Sequence, residues 1–463
     1  MNFETNAKWA KGEFKNAIVW DKRCIPSLIS MAIALTENQL LSFSAACGKT
    51  LRQCGSRIFS HKSMNTDKIQ AGHYKETAKR ASKEPVVLCV QDTTSLNYSG
   101  HKSAEGLGPI DSNPSSKGIF IHTVMALRSD GLPLGCIGQK MWTRKIEERG
   151  KKHKRKHLPI EEKESHKWID GLEYVNKRLS EKIKEIWVIS DRESDVYKYM
   201  TTKHKQNIHL LIRATQPRII EAEIGSERYR GKLTEIAKKL PKAGSKEIEI
   251  TNGNRTELIN LSISYSKIKL YPPASEGKAA EPVALSLVYA AETGMAENTD
   301  KVEWLLLCEQ QDMTASEAIK MLDYYTQRWK VERFHYALKT GTFNVERLQF
   351  DDAETLMNAL SFYGVLAWHI LWLMYYSRLE PDAKAATVID ETEKEVLEAS
   401  TGKPITTIYE AVLAIGILGG FLGGSKRYPH PGIKVLWIGI VKLKAMKAGW
   451  LLAKSHFLKF YAT

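Results

Sequence analysis

Short apolar runs rich in β-branched residues, each bounded by polar or turn-forming residues, recur through the middle of the chain. They are Val86–Val90, Ile119–Leu127, Leu134–Trp142, Ile186–Ser190 and Ile208–Arg213, and runs of this length and composition predict strands. Between the third and fourth, Glu161–Leu179 repeats its apolar positions at helical spacing. Strands alternating with a helix predict an α/β domain with a mixed sheet. A second β-rich stretch comes next, with Ile248–Leu270 and Pro282–Ala290 on either side of the polar YPPASEGKAAEP, and Trp304–Cys308 adds another strand. It reads as an insertion into the α/β unit at about residues 217–300. From Ser316 to Thr340 the pattern is one long helix, with Gly341 as its C-cap.

Both ends of the chain read as helical. Residues 1–72 hold three segments, Ala7–Ala17, Cys24–Leu35 and Leu40–Ser60, with Lys8, Lys11, Lys22, Arg23, Lys49, Arg52 and Arg57 on or between them. That cluster suits a small DNA-binding unit and equally suits a solvated charged surface. Residues 379–463 hold an acidic segment (Asp390–Glu398), a Gly-rich one (Ala414–Gly424) and a basic, Trp-containing terminal helix, leaving 73–378 as the central unit. The densest positive block, RKIEERGKKHKRKH (Arg144–His157), reads as a solvated loop within reach of phosphates.

Composition narrows the class. With 43% hydrophobic residues in 463, the chain is globular, not disordered, collagenous or coiled-coil. A net charge of +15 favours a polyanionic partner, nucleic acid first and an anionic membrane surface second. Leu356–Tyr376 approaches the length of a membrane span, but Asn358, Ser361, His369 and its scattered aromatics predict a buried helix, and no membrane is expected as a partner. The six cysteines form no CxxC pair and have no matching His spacing, so neither a zinc module nor a disulfide framework is indicated, and a reducing cytoplasm fits best. MNFETNAKWAKGEF has no apolar run behind its charges, which reads against a secretory signal.

Three acidic positions sit where rigid elements would aim them. Asp92 closes the apolar run VVLCVQD, Asp191 closes EIWVISD, and Glu332 lies in the long helix. Carboxylates closing neighbouring strands fall side by side at a sheet edge, and a third from a covering helix completes an oxygen cage for hard divalent cations. Two such ions about 3.5–4 Å apart serve phosphoryl transfer. Asp after a strand is also a common loop or cap residue. On the helix, Tyr325, Arg328, Glu332 and Lys339 fall within roughly a 60° sector extending over about 20 Å, with Val331, Phe334 and Leu338 on another face. The polar stripe either lines a cleft, with Arg328 and Lys339 holding phosphates, or is a solvated face of charge pairs.

The blocks QDTTSLNYSGH (Gln91–His101), SDRESDVYKYM (Ser190–Met200) and YTQRWKVERFHYALKTGTFNVER (Tyr325–Arg347) resemble the catalytic blocks of the bacterial DDE transposases of insertion-sequence family four, including the complete Tyr-x2-Arg-x3-Glu-x6-Lys signature. EKESHKW, LLIRATQPR, VEWLLL and GGFLGGSKR extend the likeness over most of the chain. The resemblance implies a ribonuclease-H-like core with a β-rich insertion, an N-terminal domain for the transposon end and a C-terminal dimerisation domain. It further implies cut-and-paste transposition: nicking, hairpin formation and opening, and strand transfer. Asp92, Asp191 and Glu332 would hold two Mg²⁺ ions, with Mn²⁺ as the alternative. Tyr325, Arg328, Lys330, Lys339 and Arg213 would contact DNA, Trp304 would stack a flipped base, and Lys22 and Arg23 would bind end DNA. Amid Leu305–Leu307, Trp304 also reads as a core residue. The partners expected are terminal inverted repeats, target DNA and a second copy of the chain, in a bacterial cytoplasm and on the nucleoid when DNA-bound. A non-catalytic DNA-binding regulator is the alternative. The Arg144–His157 block, and Thr215 where positive charge is expected, depart from the family pattern.

Overall fold

The computed structural model describes residues 4–37, 43–148, 158–252, 255–293, 301–310, 312–424 and 429–460. Helices α1 (Glu4–Phe14), α2 (Cys24–Glu37), α3 (Phe43–Phe59) and α4 (Ala71–Ala81), with a single helical turn at Thr66–Ile69, precede the sheet. They are not set apart from the rest of the chain: Phe14 and Phe59 both pack against Phe362 with ring centres 5.0 and 5.7 Å away, within one core shared by all three parts of the chain.

The predicted runs form one end of a mixed sheet. β1 (Val86–Asn97) pairs antiparallel with β3 (Lys117–Arg128), and β3 with β4 (Pro133–Trp142); the short β2 (Gly108–Pro109) pairs with the start of β3. β5 (Glu185–Ser190) lies parallel to β1, and β6 (Ile208–Arg213) parallel to β5. The order β4-β3-β1-β5-β6, an antiparallel meander continued by two parallel strands, is that of a ribonuclease-H-like core. α5 (His166–Arg178) covers one face, where Trp168, Leu172 and Val175 bury Val87, Cys89 and Val188.

The inserted residues do not build a separate sheet. β7 (Ile219–Ile224), β8 (Glu227–Lys232), β9 (Gly244–Asn252), β10 (Arg255–Leu270), β11 (Val283–Glu292) and β12 (Glu303–Cys308) extend the same one, β12 pairing antiparallel with β6, so that the described residues contain a single 12-stranded sheet. The β7–β8 hairpin escaped prediction because β7 is only six residues long and β8 carries one apolar residue, Tyr229, among Glu227, Arg228, Arg230 and Lys232.

The single long helix expected over Ser316–Thr340 is bent. α6 (Ala315–Thr326) and α7 (Trp329–Tyr336) meet where Arg328, Lys330 and Val331 donate to carbonyls three residues back, a tight turn in place of α-helical bonding. A π-helical turn at Ala337–Gly341 ends the element. α8 (Ala353–Leu379) is the helix long and apolar enough to span a membrane, yet 83% of its apolar window is buried inside the protein. The acidic α9 (Glu391–Thr401) lies along the basic α11 (Ile433–Phe460), with Lys447 3.2 Å from Glu393 and Trp450 Nε1 donating to Glu395 at 3.0 Å. α10 (Ile408–Leu418) also meets α11, and a side chain on Gly439 would stand 1.8 Å from the Ile415 carbonyl, so only glycine permits this contact.

Candidate active site

Parallel pairing sets two carboxylates side by side. Val90 of β1 lies opposite Ile189 of β5, so Asp92 and Asp191, each two residues on, stand level. Alternation puts both on the face that holds Leu88, Val90, Trp187 and Ile189, the face beneath α7. Asp191 leaves the end of β5 and caps the following turn, its Oδ1 accepting the Glu193 N–H at 2.9 Å. Asp92 closes the apolar run but not the strand, because pairing with β3 continues to Asn97 opposite Gly118 and carries Thr94 onto the same face.

Val331, Phe334 and Leu338 are fully buried and hold α7 against the sheet. That anchoring turns Arg328 and Glu332 towards the strand carboxylates. Arg328 Nη1 lies 3.7 Å from Asp92 Oδ1, and Nη2 donates to Glu332 Oε1 at 2.7 Å. Arg328 is 6% exposed, and its Nε has no protein acceptor. Tyr325 is buried edge-on to Trp304, ring centres 5.2 Å apart, and Arg213 Nη2 reaches the Glu303 carbonyl at 3.4 Å. Lys339, on the π-helical turn, donates to Thr94 Oγ1 at 3.2 Å.

Burial lifts the carboxyls of Asp191 and Glu332 above their ordinary range, and the charge on Asp92 adds to the lift against the pull of Arg328. At Asp92 burial acts the same way but is outweighed by His335 and Arg328, which hold that carboxyl low. Three hard oxygen donors, two of them costly to ionise where they stand, suit divalent cations. The set is not gathered in advance. Among the described residues no group of three His, Cys, Asp or Glu has metal-ligand spacing, and it is the Arg328 guanidinium that bridges Asp92 to Glu332.

Several expected residues fall elsewhere. Trp304 is 5% exposed, so the indole is a core residue in this state and not an open platform. Trp329, which the motif does not single out, is 49% exposed with the Arg328 guanidinium 4.8 Å from its ring centre. Lys330 projects to the β3–β4 turn, near the Asp130 carbonyl and 4.8 Å from the centre of the Tyr375 ring, and burial pushes its amine down to about 8. Lys330→Met is therefore expected to leave DNA-end binding within about twofold and the melting temperature unchanged or higher, since apolar replacement of a buried charge is commonly neutral or stabilising. Gel-shift titration and thermal melting check this. Lys22 and Arg23 are exposed at the turn entering α2, with Arg23 Nε donating to Asp21 at 2.8 Å. Of the basic block, Arg144 pairs with Glu164 at 2.7 Å and covers Phe120, and residues 149–157 lie outside the described residues. Thr215 donates its backbone N–H to buried Asp195 at 2.8 Å.

The fold and site define a class: a mixed-sheet α/β core in which two neighbouring strands set two carboxylates level and a covering helix adds a third, tied to the first through Arg328. Residues 140–368 match the family described as Transposase DDE domain, a span that contains Asp191, Arg213, Trp304, Tyr325, Arg328, Glu332 and Lys339 and begins beyond Asp92. The match supports a DDE transposase. Among solved structures, the cryo-EM structure of a piggyBac transposase synaptic complex with hairpin DNA is similar at 11% identity and a TM-score of 0.33, over 92% of this chain and 88% of that one. A likeness that loose carries no argument.

Proposed function

We propose that this protein is a cut-and-paste DNA transposase of insertion-sequence family four, the family of the Tn-five transposase. The observation that carries the reading is the level placement of Asp92 and Asp191 on neighbouring strands, with the buried Arg328 bridging Asp92 to Glu332 on the helix above. Asp92, Asp191 and Glu332 would hold divalent metal, Mg²⁺ or Mn²⁺, which when bound polarises the scissile phosphate and lowers the cost of the attacking oxygen. The protein's own groups do the rest. Arg328 offers an unpaired, desolvated Nε–H to a phosphate oxygen. Arg213 and Tyr325 lie beside it, and Lys339 sits on the opposite flank at Thr94. In the first step water attacks the phosphorus at the element's end and releases a 3′ hydroxyl. That hydroxyl then attacks the opposite strand, displacing the flanking DNA and closing a hairpin, which is opened before joining to target. The net charge of +15 serves the long-range attraction of two DNA ends. The working unit is a dimer on those ends, in the bacterial cytoplasm.

The test uses the purified chain, a linear fragment bearing its element's terminal repeats and Mg²⁺, with Glu332→Ala as control. A hairpin product on denaturing gels from the wild type alone is expected. End binding without cleavage in either sample would make the protein a regulator, and nicking without a hairpin would reduce it to a nuclease.

A further inference from the structure

A second set of buried polar groups runs into the site from behind, and no part of the mechanism above uses it. It begins at the Ser361 carbonyl in α8. A carbonyl only accepts, so the Gln70 group facing it at 2.6 Å is the amide nitrogen Nε2. The same nitrogen lies 2.7 Å from Gln139 on β4, which must therefore present its oxygen. Gln139 is left with its Nε2 towards Thr123 Oγ1 on β3, 3.0 Å away. With that N–H accepted, the Thr123 hydroxyl proton is free to point at His335 Nε2, at 3.1 Å. A ring that accepts at Nε2 carries its proton on Nδ1, and Nδ1 lies 3.5 Å from Asp92 Oδ2. Every side chain in the series is less than 5% exposed except Asp92.

The back of β1 is pinned as well. His122 Nε2 meets Gln91 Oε1 at 2.9 Å and Nδ1 meets Thr93 Oγ1 at 2.9 Å, so both neighbours of Asp92 are held on the opposite face. Asp92 and Thr123 are themselves cross-strand partners. The Asp92 carboxylate thus has one oxygen towards Arg328 and the other towards His335.

We infer that His335 is a positioning residue for Asp92, held in its Nδ1–H tautomer by the hydrogen-bond series Ser361–Gln70–Gln139–Thr123. The inference deepens the transposase reading and rests on it for its kinetic consequence. Partners that orient a ligating carboxylate commonly contribute 10- to 100-fold to metal affinity or activity.

The measurement has two arms. The first needs neither DNA nor metal: long-range ¹H–¹⁵N spectra of the wild-type chain, assigned with His335→Asn, are expected to show His335 protonated at Nδ1 and unprotonated at Nε2. Protonation at Nε2 alone would overturn the series. The second compares single-turnover cleavage with metal-free end binding. His335→Ala is expected to slow cleavage about 10- to 100-fold with end binding within about twofold, and His335→Asn, whose amide can place a donor where Nδ1 stands, to recover much of the rate. Gly364→Ala offers an independent route, because its Cβ would stand 2.9 Å from Gln139 Oε1 and 3.1 Å from Gln70 Nε2, its nearest neighbours. It should slow cleavage severalfold. Wild-type rates in both His335→Ala and Gly364→Ala, or equal losses in His335→Ala and His335→Asn with binding intact, would overturn the positioning role. If the wild type itself does not cleave, the transposase reading fails, and the tautomer still decides whether the series exists.

Discussion

Asp191→Asn is expected to lower cleavage on the order of a thousandfold while raising the melting temperature of the metal-free protein. Asn keeps the cap on the turn after β5, because its Oδ1 still accepts the Glu193 N–H. What it removes is a carboxylate that burial, with Asp92 alongside, makes costly to ionise. At neutral pH the folded wild type bears that cost and the variant does not. Mg²⁺ should reverse the ranking: an ion bound only by the folded state adds stability by mass action, about 2.7 kcal/mol at a hundred times its dissociation constant, and the variant would forfeit most of it. Thermal melts of both proteins with and without Mg²⁺, beside the cleavage assay, make the comparison. A lower melting temperature for Asp191→Asn without metal would mean that the carboxylate is not costly to hold ionised, and an equal Mg²⁺ response would remove Asp191 from the ligand set.

Much of this site was legible because its spacing is local. An apolar run that stops at Asp marks the place where a buried strand reaches polar surroundings, and a helix repeats its faces so regularly that Tyr325, Arg328 and Glu332 remain neighbours despite the bend at Gln327. The bend itself has no proline or glycine to announce it. Continuation of β1 through Asp92, Thr93, Thr94 and Ser95 was equally hidden, since those polar residues stay in the sheet only because β3 supplies their backbone partners. The burial of Trp304 was open for a different reason: a motif gives identity, whereas exposure depends on Tyr325, from an element packed across it. His335 is the extreme case. Its partners, Asp92 and Thr123, lie 243 and 212 positions away in sequence, and only the fold joins them.

The same limit hid the bond that docks the first helix, and it leads to the second large effect. Glu13 of α1 is 4% exposed and accepts from His73 Nδ1 at 2.6 Å and Arg80 Nη1 at 2.7 Å, both on α4. His73 Nε2 accepts the Cys136 N–H at 2.9 Å, so the ring is neutral and spends its one proton on Glu13. Arg80 also donates to the Leu134 carbonyl at 2.6 Å and covers the Trp368 ring at 4.4 Å. Burial alone would raise the Glu13 carboxyl; the His73 hydrogen bond and the Arg80 charge overcome it and hold the group down to about 2. A folded value below the unfolded 4.5 means that the stabilisation is complete above pH 4.5 and is lost as pH falls towards 2. Glu13→Ala should cost about 1–3 kcal/mol at neutral pH, because it strands the buried His73 N–H while Arg80 keeps its bonds to Leu134 and Thr77, and it should flatten the acid limb of the stability curve between pH 4.5 and 2. Denaturant titrations across that range check both. An unchanged acid limb would place the carboxylate's stabilising partners elsewhere, whereas the expected result makes Glu13 the link through which α1 depends on α4, β4 and α8 for its place.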